Sequence, residues 1–398
     1  MKEFRISPGD RRWREQMRWG TLGLMIEEAD CNQESVLRIQ QRVPLAPLTT
    51  LELGGTASFF ASIDSVGVAK EAIRWANRNS RPVAILGGGS NVVVSDDGYR
   101  GLVLRAALRG VQLRDDGATV RVTAAAGEPW DDLVEMTVTE NLAGLECLSG
   151  IPGWVGATPI QNVGAYGQDV AMAIEGVRVL DLKNLEEKTL AREACGFGYR
   201  TSTFREIPNH FMVLSVTFAL ERHGRPKIEY GELRRSLEIG GTTPSLAEVR
   251  QAVLGLRRSK SMVIEASDPN RLSAGSFFVN PVVDALTLAT MIERARNSGV
   301  LGSSENVPNF PVDGQSFKVS AAWLIEKAGF AKGLRRGACG ISSAHALALV
   351  HHGGGTTRDL LTLAQDIRDA VRLQFDVELQ PEPVFLGFPT ANPLAASR

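Results

Sequence analysis

The chain has 398 residues, of which 43% are hydrophobic, with 44 Lys and Arg against 45 Asp and Glu, for a formal net charge of -1. That length holds two or three cores, and the balanced charge leaves no basic excess to favour nucleic acid or an anionic membrane. No apolar run approaches the ~20 residues needed to span a bilayer. The four cysteines, Cys31, Cys147, Cys195 and Cys339, are scattered without a C-x-x-C pair. They read as reduced thiols of a cytoplasmic protein, not as a metal site or a disulfide frame.

In chain order, the charged N-terminus lacks the apolar core of a signal peptide, and residues 1–35 are expected to be a disordered extension without function, with Met17 or Met25 as alternative starts. Residues 65–80 place Val68, Ala69, Ala72, Ile73 and Ala76 on one helical face. Strands are expected at 82–86, 92–95, 101–105 and 119–126, with Asp97-Gly98 as a turn. The stretch EPWDDLVEMTVTEN reads as a helix with Pro129 in its first turn. Strands return at 176–182 and 211–220. Ser245 and Glu248 form a capping-box pattern that opens a helix over 246–258. A polar connector at 261–272 precedes helices near 284–297 and 319–328, a strand near 346–351, a helix over 357–374 and a strand-like VELQPEPVFLG. The mixture implies α+β or α/β.

Several stretches could carry chemistry. In LGGGSN, residues 86–91, a strand runs into Gly87, Gly88 and Gly89, then Ser90 and Asn91, and the following VVVS is a second strand, not a helix. The Rossmann and P-loop fingerprints need a helix there. The loop is therefore either a plain tight turn or a concavity of backbone N–H groups that holds an anion. The segment GIPGWVGATPIQNVGAYG, residues 150–167, is either a turn-rich piece of core or an ordered loop that something flat or anionic approaches closely. Arg200 in FGYR either lies over apolar neighbours or aims its fork at a carboxylate or phosphate. Ser276 in SAGSFFVNP is a structural hydroxyl on the ordinary reading, with no G-x-S-x-G context. Glu382, between two prolines, is either exposed on an edge or buried with a partner. His351 and His352 point to opposite faces of a strand, so with His345 they make a poor metal site.

Taken in order, the LGGGSN loop, the glycine-rich segment, FGYR, AGSFFVNP and PEPVFLG resemble the UDP-N-acetylenolpyruvoylglucosamine reductase family over about residues 40–388. The resemblance implies an α+β protein. Its vanillyl-alcohol-oxidase-like FAD-binding domain has two subdomains, 36–98 (completed by the C-terminal strand 376–390) and 99–259, and a substrate-binding domain follows at 260–375. It implies non-covalent FAD held by Gly87, Gly88, Gly89, Ser90 and Asn91 and by Gly150, Gly153, Gly156, Ala157, Gly164 and Gly167. NADPH is the implied hydride donor and the enolpyruvyl UDP-sugar the implied substrate, in cytoplasmic peptidoglycan precursor synthesis. By the same resemblance Arg200, Ser276 and Glu382 are catalytic. Tyr230 belongs to a loop that closes on the UDP-sugar, and Lys260, Asn280 and His345 contact substrate, His345 standing where other members carry Gln. Two rivals remain: an alcohol-oxidising flavoenzyme of the same fold, for which the glycine-rich segments lack a tethering His, and a flavin or nucleotide-sugar binder without activity.

Overall fold

The computed structural model describes residues 4–6, 36–237, 243–302, 305–312 and 314–395. The N-terminal half is built on two sheets. The first is four-stranded, in the order Gln40–Pro44, Thr56–Ile63, Tyr99–Ala106, Val83–Leu86. Its last three strands are parallel, Ile63 opposite Ala106 and Leu86 opposite Arg105. The helix Val66–Arg78 makes the crossover that parallel pairing requires. Ser65 accepts from the Val68 N–H at its N-terminus, and the five apolar residues expected on one face are all buried.

The second sheet is antiparallel around the long strand Phe211–Arg222, flanked by Thr119–Ala125 and Ile174–Asp181. The alternating burial of Thr119–Ala125 marks a sheet with one face in the core. Trp130, fully buried at the start of the helix Trp130–Thr139, packs on Phe218 of the long strand at 5.8 Å between ring centroids. Pro129 is the residue before that helix, with an extended backbone, and not part of its first turn as expected.

At the outer edge of this sheet Phe4–Ile6 pairs with Val111–Asp115. The expectation of a disordered 1–35 therefore needs amending at these three residues, where the edge strand offers unpaired backbone groups that recruit chain. The rest of that extension, Cys31 included, lies outside the described residues.

The C-terminal half has its own core, in which Phe277, Met291, Leu324, Ile341, Leu360 and Ile367 are buried. Ser273–Ser276 pairs with Ala348–His351, and the helix Thr357–Phe375, capped reciprocally by Thr356 and Asp359, covers that sheet. The strand-like tail narrows to Val384–Leu386, because Pro381 and Pro383 supply no N–H to a ladder. This strand crosses back to pair in parallel with Val92–Val94, Val384 opposite Val92, and so lies beside the strand that leaves the 86–91 loop.

Candidate active site

Two backbone segments meet at the glycines. A Cβ on Gly88 would stand 3.0 Å from the Gly153 Cα and 3.2 Å from Trp154, and one on Gly153 would stand 2.7 Å from Ser90 Oγ. Ser90 Oγ donates to the Pro152 carbonyl at 3.0 Å, locking the two segments together. Several glycines answer to the protein's own atoms. Gly89 has φ +69° and presses on the Leu48 carbonyl, Gly150 on Leu254, and Gly156 on Ala126. Gly87 is different, for the nearest atom to a Cβ there is the Ala157 Cβ at 3.8 Å. Among the described residues the N–H groups of Gly87, Gly88, Gly89 and Ser90 donate to no protein acceptor. Four successive donors left open in a half-buried loop suit an anionic group such as a diphosphate.

Arg200 has φ +55°, a strained backbone for a non-glycine residue and one that persists only where the surroundings impose it. Its Nη2 donates to the Gly164 carbonyl at 2.6 Å and its Nη1 to the Asn162 carbonyl at 3.3 Å. Its Nε lies 3.3 Å from Glu382 Oε1. A guanidinium carries five N–H donors, so each terminal nitrogen keeps one for a ligand. Burial raises the Glu382 pKa, opposed by the positive charges of Arg200 and Arg205.

Ser276 reaches the same region through a bulge. Ser273 pairs with Val350 but Ser276 with Ala348, a register shift absorbed at Gly275, which has φ +71°. Bulges re-aim side chains near active sites. The Glu382 N–H donates to the carbonyl of Phe277, the residue after Ser276, at 2.9 Å. The hydroxyl that braces this turn belongs to Ser273, which accepts from the Gly275 N–H at 3.3 Å. Ser276 Oγ has no hydrogen-bond partner among the described residues, so the bracing role expected of an ordinary serine there falls to its neighbour. A cavity of about 300 Å³ lies beside the Arg200 turn, lined by Tyr199, Arg200, Arg205, Asn280 and Pro281 among others, with neither Ser276 nor Glu382 in its lining. Asn280 anchors its floor by accepting from the Ala321 N–H at 2.9 Å.

Tyr230, Lys260 and His345 gather in a second cluster, apart from Asn280. Tyr230 sets its ring edge-on to Tyr166, 5.6 Å between centroids. Lys260 Nζ pairs with Glu232 at 2.6 Å and lies 5.9 Å from the Tyr166 ring. Burial, reinforced by Lys260 and Lys332, lowers the His345 pKa to about 4. Its imidazole is therefore neutral at pH 7 and offers one donor and one acceptor, as a glutamine amide does. His351 serves the fold: it is buried, Nδ1 meets the Leu51 carbonyl at 3.1 Å, and Nε2 accepts from the Gly355 N–H.

Sequence reading passed over Gln161, Tyr166, Arg205 and Glu232. Gln161 and Tyr166 lie inside the glycine-rich segment, where the glycines drew attention from them. Arg205 and Glu232 stand out only once their partners are known. Burial pushes the described cysteine thiols up, Cys147 to about 12 and Cys195 and Cys339 to about 11, which makes them poor nucleophiles.

Comparison with known proteins gives this site its class first. Residues 57–184 match a family described as an FAD binding domain, and the open N–H groups of 87–90 fit the diphosphate such a cofactor carries, so the protein is a flavoprotein. Residues 268–386 match the C-terminal domain of UDP-N-acetylenolpyruvoylglucosamine reductase. Proteins of that name are 46% identical in Thermobifida fusca over 87% of this chain and 98% of theirs, and 44% identical in Streptomyces coelicolor over 86% and 89%. The crystal structure of the reductase from Thermus caldophilus superimposes with a TM-score of 0.60 at 25% identity, covering 88% of this chain and all of that one. The chain belongs to the UDP-N-acetylenolpyruvoylglucosamine reductase family.

Proposed function

We propose that this protein uses FAD and NADPH to reduce the enolpyruvyl group of UDP-N-acetylenolpyruvoylglucosamine, yielding UDP-N-acetylmuramate for peptidoglycan synthesis. Within the family, the observation that supports this chemistry most directly is the 3.3 Å contact of Arg200 with Glu382. The Glu382 backbone is bonded one residue from Ser276. FAD, held at the open N–H groups of residues 87–90, would supply the hydride that the substrate double bond needs, drawn from NADPH. The remaining work falls to side chains. Charge then builds on the substrate carboxylate as an enolate, and the two free N–H donors of Arg200 are preorganised to hold it. The adjacent carbon needs a proton. Ser276, with a hydroxyl committed to no protein acceptor, gives it as general acid. Its alkoxide is reprotonated from solvent, so hydride and proton together saturate the double bond. Glu382 holds the charge and proton network around the same enolate.

The binding surfaces divide the same way. Residues 36–98 with 376–390, and 99–259, would hold the cofactor. Residues 260–375 would hold the sugar nucleotide through Lys260, Asn280 and His345, with Tyr230 closing on it from the preceding segment. Among the described residues no helix is long and apolar enough to cross a membrane, in keeping with work on soluble UDP-sugars and NADPH in the cytoplasm.

Two measurements test the reading. The purified protein is yellow and releases intact FAD on denaturation, and it oxidises NADPH steadily only when the enolpyruvyl nucleotide sugar is present. Colourless protein that cannot be reconstituted, or NADPH oxidation indifferent to the sugar, overturns it. Tyr230, half exposed beside Tyr166, contributes binding and not chemistry. Tyr230→Phe raises KM for the sugar about fivefold, the worth of one hydrogen bond of ~1 kcal/mol, and leaves flavin reduction by NADPH unchanged. An equal loss in flavin reduction would make the tyrosine a structural residue.

A further inference from the structure

Glu382 is stitched from two sides. Toward the substrate-binding half, its N–H and the Gln380 carbonyl are bonded to Phe277 and Val279. From the other side comes Arg205, on the short helix Thr203–Glu206. Its Nη1 donates to the Glu382 carbonyl at 3.1 Å and its Nη2 to the Pro381 carbonyl at 3.4 Å. The same Nη1 donates to Gln161 Oε1 at 2.9 Å, and Asn91 Nδ2 donates to that oxygen at 2.8 Å. Two donors on one amide oxygen decide which way the amide faces, because the flipped amide would set N–H against N–H. The Gln161 NH₂ is thereby turned to Glu382, donating to Oε1 at 3.3 Å. Arg205 makes no hydrogen bond to the carboxyl itself. Glu382 Oε2 has no protein hydrogen-bond partner among the described residues.

We propose that Arg205 is a positioning residue for Glu382: through the Gln161 amide and two backbone carbonyls it fixes one carboxyl oxygen against Gln161 and Arg200 and leaves the other free for proton exchange. The inference rests on the reductase reading above. A planar fork reaches three acceptors held in fixed directions where an ammonium, a point donor on a flexible stem, does not. It also links the glycine loop, through Asn91, to the group that would handle the proton. The charged or titratable groups facing Glu382 are Arg200 and Tyr199 from the FGYR turn and Arg205 from the helix.

The test uses the FAD-loaded enzyme with Arg205→Met, Arg205→Lys, Gln161→Met and the double variant Arg205→Met with Gln161→Met. Each half-reaction is followed by stopped-flow absorbance. The Glu382 carboxyl, assigned by its loss in Glu382→Gln, is titrated by isotope-edited infrared spectroscopy without turnover. Arg205→Met and Gln161→Met both slow flavin reoxidation by the sugar, by up to about 10²-fold, the scale of a misplacement near 1 Å. Both leave reduction by NADPH and the KM for the sugar near wild type. The double variant is no slower than Arg205→Met alone, Arg205→Lys recovers part of the rate, and the carboxyl stays protonated to higher pH in both single variants. An additive double variant, equal losses in both half-reactions, or an unmoved titration overturns the inference. Should Arg205→Met fail to fold, Gln161→Met carries the test, since it cuts the link and spares the carbonyl bonds. Wild-type enzyme that the sugar does not reoxidise sinks the reductase reading instead, and the infrared titration still judges the positioning.

Discussion

Ser276→Ala leaves flavin reduction by NADPH near the wild-type rate and slows reoxidation by the enolpyruvyl sugar about 10²–10⁴-fold, the range of general acid catalysis. The asymmetry follows from the chemistry. Taking hydride from NADPH requires no proton on carbon, and saturating the enolpyruvyl double bond does. Ser276→Cys retains more activity than the alanine variant, because a thiol also donates a proton. The geometry strengthens the case for chemistry over bracing. The turn is held by Ser273, whose hydroxyl accepts from Gly275, so removing the Ser276 hydroxyl breaks no hydrogen bond of the described fold. Thermal stability should therefore change by less than the ~1 kcal/mol of a lost hydrogen bond. An alanine variant that the sugar reoxidises at full speed removes serine as the donor and moves that role to Glu382.

Two glycines of one loop should fail for different reasons. At Gly89 a Cβ would meet the Leu48 carbonyl at 2.1 Å on a backbone with φ +69°. The left-handed conformation alone costs a side chain about 1–2 kcal/mol. Gly89→Ala therefore lowers the melting temperature of the flavin-free protein and, by displacing the loop, weakens FAD at least about tenfold, each ~1.4 kcal/mol being a factor of ten. At Gly87 the protein leaves room, with nothing nearer than 3.8 Å. Gly87→Ala should keep the flavin-free protein within about 0.5 kcal/mol of wild type and still weaken FAD, because the only thing left to clash with is the cofactor. Fluorescence titration of apoprotein with FAD and melting with and without flavin separate the two. A Gly87→Ala protein that binds FAD as tightly as wild type would show that the cofactor does not approach this loop.

What the sequence made legible was whatever local pattern determines. The apolar face of Val68, Ala69, Ala72, Ile73 and Ala76 declares the helix Val66–Arg78, and Ser245 with Glu248 declares the helix Leu246–Ser259, whose capping box forms in full. The strand–glycine–strand character of 83–94 follows from β-branched residues on both sides of Gly87–Gly89. Long-range pairing left no such trace. Gln40–Pro44 is nearly all exposed, and becomes a strand because Thr56–Ile63 offers it an edge. The candidate site was legible as single residues and not as geometry. Arg200, Ser276 and Glu382 each read blandly alone. The glycines at 89, 150 and 156 suggested close approach, and the approaching atoms belong to the protein itself. Arg205 and Gln161 matter through what they touch, which spacing does not encode.

The parallel pairing of Val384–Leu386 with Val92–Val94 also sets a timetable for synthesis. The strand beside the glycine loop receives its neighbour from the far end of the chain, together with the turn that carries Glu382. A nascent chain emerging at about 5–20 residues per second can form the antiparallel sheet around Phe211–Arg222 long before that tail leaves the ribosome. Until then the edge of Val92–Val94 stays open, and non-local contacts of this reach are the slow ones in folding. The turn that carries Glu382 is thus placed only after the segments it joins have been made, and a chain stopped before residue 381 lacks both that carboxyl and the neighbour of Val92–Val94.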